Sequence, residues 1–172
     1  MRSIISILFI CCLVSFKSFA KAPSKEKIDF GVYIEDVYNI DYENSTYDIV
    51  FWLWVNADSS FFDLEENIDI IKSTELQFQV KNNLKLKSGK YHTEAKIHAK
   101  ILNQFDVKDF PFDIQNLVFN VELIKFKSNH CELFFDHKNS KLKPEYIEKW
   151  KNIKTNYSLS LININQILEI LI

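Results

Sequence analysis

Glycine is nearly absent from this chain of 172 residues, with only two, and there are only three prolines. That scarcity excludes collagen-like and low-complexity architectures and leaves no glycine-rich loop to cradle a phosphate. Cysteine is also scarce: Cys11 and Cys12 lie near the N terminus, and Cys131 stands alone in the rest. A domain with one cysteine cannot be stapled internally, so a hydrophobic core must hold it together. No charge of one sign dominates, with 21 basic residues against 23 acidic ones and no basic block. Nucleic acid is therefore a poor partner. Gly-x-Ser-x-Gly, His-Glu-x-x-His and phosphate-loop signatures are all missing, and neither an enzyme activity nor a cofactor is expected. No internal repeat is visible.

Apolar and aromatic residues are abundant, at 47% and 15% of the chain. A sizeable core is within reach and disorder is not expected. One domain is the prior for this length. Residues 1–20 read as a signal peptide. Arg2 gives a positive start, Ile4 to Val14 an apolar run, and Ser18-Phe19-Ala20 small residues at the cleavage position. A secreted, periplasmic protein is the expectation. Cleavage removes Arg2 and Lys17, leaving 19 basic against 23 acidic residues, a net charge of −4. Residues 21–27 are polar and read as a flexible lead-in.

From residue 28 the dominant period is two. Tyr91, Thr93, Ala95, Ile97, Ala99, Ile101 and Phe105 share one face, while His92, Glu94, Lys96, His98, Lys100 and Gln104 share the other. That is the pattern of a half-buried antiparallel strand. Its predicted inward set omits Asn103. Leu76, Phe78 and Val80 alternate with polar neighbours in the same way, as do Leu117, Phe119, Val121 and Leu123. Ile28 to Ile40 and Thr46 to Asn56 are rich in β-formers. Polar breaks separate the runs at 41–45, 57–60, 87–90, 106–113, 127–130 and 137–143. Many short strands so punctuated indicate an all-β sandwich or barrel. A helical turn is expected near Pro144–Lys149.

The stretch from Phe105 to Leu117 is distinctive. Locally it is a tight loop, with Phe110 and Phe112 straddling Pro111, and with Asp109 and Asp113 able to bond nearby amides. The run Phe110-Pro111-Phe112-Asp113-x-Gln115 resembles the signature loop of pentameric ligand-gated ion channels. In that family the loop couples the extracellular ligand-binding domain to the membrane domain. The animal members close it with a disulfide. The matching positions here are Asn103 and Leu117, and this departure resembles the bacterial branch. Val32 to Asp41 with Ser45-Thr46-Tyr47-Asp48 is similar to the family's first strand and turn. Phe51-Trp52-Leu53-Trp54-Val55 is similar to its second strand, and Asp136 to Ser140 with Trp150 to its eighth and ninth strand region. The resemblance covers roughly residues 28–150 and implies an immunoglobulin-like antiparallel β-sandwich of the channel family's ligand-binding type.

The resemblance implies ligand recognition between neighbouring subunits, in a homo-pentamer or with longer channel relatives. Candidate ligand-binding residues carried over by position are Trp52 and Trp54, from the strand on the pocket's complementary side, and Glu122, Ile124 and Phe126. A Trp ring can hold a cation and Glu122 can neutralise an ammonium ligand. The same residues also suit plain roles, the tryptophans as core or interface packing and Glu122 as a solvent-facing strand residue. The coupling-loop residues implied are Phe110, Pro111, Phe112, Asp113 and Gln115. His92 and His98 are spaced roughly 20 Å apart along one strand, too far to share a metal.

After residue 157 the sequence departs from the family. The expectation is a ligand-binding sandwich over 28–157 and an atypical apolar tail over 158–172. The tail carries Asn163, Asn165, Gln166 and Glu169 and is too short to span a membrane. On this reading the tenth strand and the membrane helices of the family are missing. The sandwich is then incomplete at its C terminus with one bare sheet edge, and the chain is a free-standing or truncated module that conducts no ions by itself. The alternative is an unrelated secreted sandwich that binds a protein or a surface.

Overall fold

Residues 25–108, 115–124, 131–143, 156–162 and 165–171 are described by a computed structural model. Among them the strands are β1 (Glu26–Asp41), β2 (Thr46–Ala57), β3 (Ile68–Ile71), β4 (Ser73–Lys85), β5 (Tyr91–Leu102), β6 (Val118–Leu123), β7 (Cys131–Phe135), β8 (Lys141–Leu142), β9 (Asn156–Ile162) and β10 (Asn165–Leu171). One helical turn, α1 (Leu64–Asn67), precedes β3 and is capped by the Asp63 side chain, which accepts from the Glu66 amide. The first sheet runs β4-β5-β2-β1-β7, with β8 also on β1; the second runs β3-β6-β10-β9. The protein is an all-β two-sheet sandwich.

The period-two pattern decides which face is buried. On β5, Thr93, Ala95, Ile97, Ala99 and Ile101 are buried and the alternating polar set is partly exposed. β2 pairs with β5 along its whole length and buries Tyr47, Ile49, Phe51, Leu53, Val55 and Ala57. Ile68, Ile70, Phe119 and Val121 close the core from the second sheet. Phe51 and Phe119 meet across the gap with ring centroids 5.0 Å apart. Each such large side chain contributes about 1.5–3 kcal/mol by leaving water.

Several expectations need correction. The segment expected to be a tail is a hairpin: β9 and β10 pair with each other, and β10 also pairs with β6. Two strands thus stand where a strandless tail was expected, and β10 covers one edge of β6. Ser158-Leu159-Ser160-Leu161 does alternate, but the run is short and the residues after it, 162–172, do not keep one apolar face, which hides the period. The sandwich is not antiparallel throughout, because β7 and β8 both run parallel to β1. β1 begins at Glu26, inside the expected lead-in, since Glu26 and Lys27 pair with Cys131 and Glu132. Asn103, expected to face away, is 8% exposed. On β4 the register skips between Phe78 and Val80, so Gln79 is a bulge residue and Val80 moves to the face opposite Phe78. The turn expected at 144–149 lies outside the described residues.

Candidate functional site

The outer face of the first sheet carries the two candidate tryptophans. They alternate with buried Phe51, Leu53 and Val55, so both rings leave the core and lie half-buried on the outside. Trp52 stands between Tyr33 of β1 and Lys96 of β5; Trp54 stands between Gly31 and Glu94. Glu35 is the extra residue where the β1 register skips between Ile34 and Asp36. The Trp52 indole Nε1–H donates to Glu35 Oε2 at 3.1 Å, and Lys96 Nζ donates to Glu35 Oε1 at 2.9 Å. The Lys96 hydrogen bond, opposed by burial and helped by Trp52, holds the Glu35 carboxyl below the ordinary glutamate range. Trp52 is thus a fixed ring beside a fixed carboxylate.

Trp54 is set by a contact with backbone. Its ring lies where a Cβ on Gly31 would be, and the Ser140 hydroxyl closes the same space. The Val32 amide donates to Ser140 Oγ at 3.0 Å, which fixes the 137–140 turn against β1. One of the two glycines is therefore required by close approach. The other, Gly89, has φ +89° in the turn between β4 and β5.

A second polar group on this face was not foreseen from sequence. Asp48, only 5% exposed, receives Asn39 Nδ2 at 2.8 Å and lies 3.3 Å from His98 Nε2. The Tyr38 hydroxyl lies 3.2 Å from the same His98 nitrogen, and the two rings stack. Burial, then the charges of Asp48 and Asp36, push the Tyr38 hydroxyl above the ordinary tyrosine value. Asn39 takes φ +49° to reach Asp48. The signal in the sequence is faint: an asparagine and an aspartate at similar distances from a turn.

Glu122 lies on the other side of the molecule. It alternates with buried Phe119 and Val121, and pairs in register with Asp69 of β3 and Ile167 of β10. Ile124 is 51% exposed, and its amide donates to the Asn67 carbonyl at 2.9 Å. Phe126 lies outside the described residues, as do Phe110, Pro111, Phe112 and Asp113. Gln115 braces its loop: its Nε2 donates to the Asp106 carbonyl at 2.6 Å, and the Asp106 amide donates back to its Oε1 at 3.2 Å.

Trp52 and Trp54 are brought together on one strand, and Glu122 at the end of another with Ile124 just beyond it. The two groups face outward from opposite sheets and do not meet within one copy. The cation beside Trp52 is already matched, Lys96 with Glu35. Between the sheets the apolar void lined by Ile28, Leu53, Ile68 and Val121 is about 10 Å³, far too small for a ligand. Among the described residues, no three His, Cys, Asp or Glu side chains converge as metal ligands, and no helix is long and apolar enough to cross a membrane. No protein-family model matches this chain, and no curated protein is significantly similar to it.

Proposed function

We propose that this chain is a secreted, periplasmic recognition domain of the kind found in bacterial pentameric ligand-gated channels, which takes a small cationic ligand without covalent chemistry. The observation that carries the reading is the opposed placement of its candidate residues. Trp52 and Trp54 face outward from the first sheet, while Glu122 and Ile124 face outward from the second. A pocket using both these tryptophans and Glu122 must then form between two copies standing side by side. Trp52, braced by Glu35, offers a rigid π-face for an ammonium group. The Phe-Pro-Phe-Asp-x-Gln run supports the same reading from sequence.

The test is the mass of the assembly in solution together with a titration of ammonium compounds, read by tryptophan fluorescence. The expected result is a five-membered ring, saturable quenching, and at least tenfold weaker binding for Trp52→Ala. A monomer at every concentration with no response to any amine would contradict the proposal. The alternative, a sandwich that binds a protein partner, draws on the exposed Val80 and Leu84 of β4. It predicts no ring.

A further inference from the structure

Asn103 is a buried amide at the point where three elements meet. It follows β5, and its backbone N–H donates to the Ser45 carbonyl at 2.8 Å, tying it to the turn between β1 and β2. Its side-chain Nδ2 donates to the Asn116 carbonyl at 3.1 Å, and its Oδ1 accepts the Val118 amide at 3.4 Å. One carboxamide therefore bonds the backbone on both sides of Leu117, which is itself buried. This is the pattern of a strand pairing, made by a side chain in place of a backbone. The first sheet is linked in this way to β6 of the second.

Two further contacts point the same way. Gln115 and Asp106 exchange two hydrogen bonds across the connection, just outside the Asn103 contacts. Tyr42 of the β1–β2 turn packs on Phe105 with centroids 4.9 Å apart.

We infer that Asn103 is the positioning residue of this end of the sandwich: its amide, backed by Gln115, clasps the two ends of the 104–116 connection and fixes that connection to the β1–β2 turn. The clasp does not depend on the ligand reading above, and its test measures backbone exchange, not binding. Burial makes the clasp specific, because an unmade bond at an 8% exposed amide costs a desolvated donor or acceptor.

The experiment is hydrogen exchange on the full chain, comparing Asn103→Asp with wild type at matched pH. At pH 8 the aspartate is ionised. It can accept from Val118 but cannot donate to Asn116, whose carbonyl it repels. Exchange over 104–108 and 115–118 is expected to rise at least tenfold while β2 and β5 stay protected. As the pH falls and the carboxyl gains a proton, it regains a donor, and the ratio to wild type should return towards one. A variant indistinguishable from wild type at pH 8 would overturn the inference. So would an equal rise throughout β2 and β5, which marks general loss of stability, or a ratio that does not recover in acid. Should Asn103→Asp not fold, Gln115→Ala carries the test alone. Faster exchange confined to 104–115 supports the clasp, and unchanged exchange there overturns it.

Discussion

Gly31 shows how one residue can set a candidate side chain. A methyl group there would overlap the Trp54 ring and the Ser140 hydroxyl. Gly31→Ala is expected to cost about 1–3 kcal/mol in urea unfolding, as overpacked sites do, and to red-shift tryptophan emission as Trp54 is pushed into water. Tyr47 makes the opposite case. It is fully buried, and its hydroxyl finds no hydrogen-bond partner among the described residues. Burial pushes that hydroxyl far above the ordinary tyrosine value. Removing an unpaired buried hydroxyl removes a desolvation cost, so Tyr47→Phe should leave stability unchanged or raise it by roughly 1 kcal/mol. A loss beyond that in the same unfolding assay would mean the hydroxyl is paired. Glu35 adds a pH dependence. Its folded pKa is depressed, chiefly by Lys96, so its contribution to stability is full above the unfolded value of about 4.3 and is lost as pH falls through the lower, folded value. The stability gap between wild type and Glu35→Gln should therefore close in acid, which unfolding curves at pH 7 and pH 3 would check. Such residue-level facts were only partly legible in the sequence. Period two alone puts Trp52 and Trp54 on the face opposite Phe51, Leu53 and Val55, but with both faces apolar it does not say which one is buried. Nor does it give the partners: Glu35 meets Trp52 through a bulge, and Asp48 meets Asn39 through a left-handed residue, and neither irregularity has a signature in composition.

At the scale of elements, β5 and β6 were readable because each alternates apolar with more polar residues, and β1 and β2 because they are dense in β-formers. β4 was readable as a strand but not in its facing, since the bulge at Gln79 exchanges the two faces midway. That bulge, with Lys81 and Lys85, makes an edge strand less fit for pairing with another chain. β8 was missed because two residues carry no period, and its pairing with β1 is parallel and distant in sequence. β9 and β10 were missed because the apolar residues there cluster more than they alternate. Their consequence is direct. β10 occupies the edge of β6 along Val118 to Glu122, and a chain lacking residues 163–172 should expose that edge. Light scattering on the shortened chain is expected to show concentration-dependent aggregation that the full chain lacks. Equal behaviour of the two would mean that the pairing with β6 contributes little.

At the scale of the whole molecule, the sandwich separates its two candidate groups by its own thickness. Trp52 and Trp54 look out from one sheet and Glu122 from the other, so one copy cannot close a site around a ligand. The proposed recognition is then a property of a head-to-tail assembly, in which one face of each copy meets the opposite face of the next. The most direct test mixes two defective variants, Trp52→Ala and Glu122→Gln. Each alone lacks one half of every site and should bind an ammonium ligand at least tenfold more weakly than wild type. After exchange of subunits in a one-to-one mixture, about a quarter of the interfaces regain an intact Trp52 on one side and an intact Glu122 on the other. The account predicts a fraction of that size binding with wild-type affinity. A mixture that binds no better than its two components would contradict it.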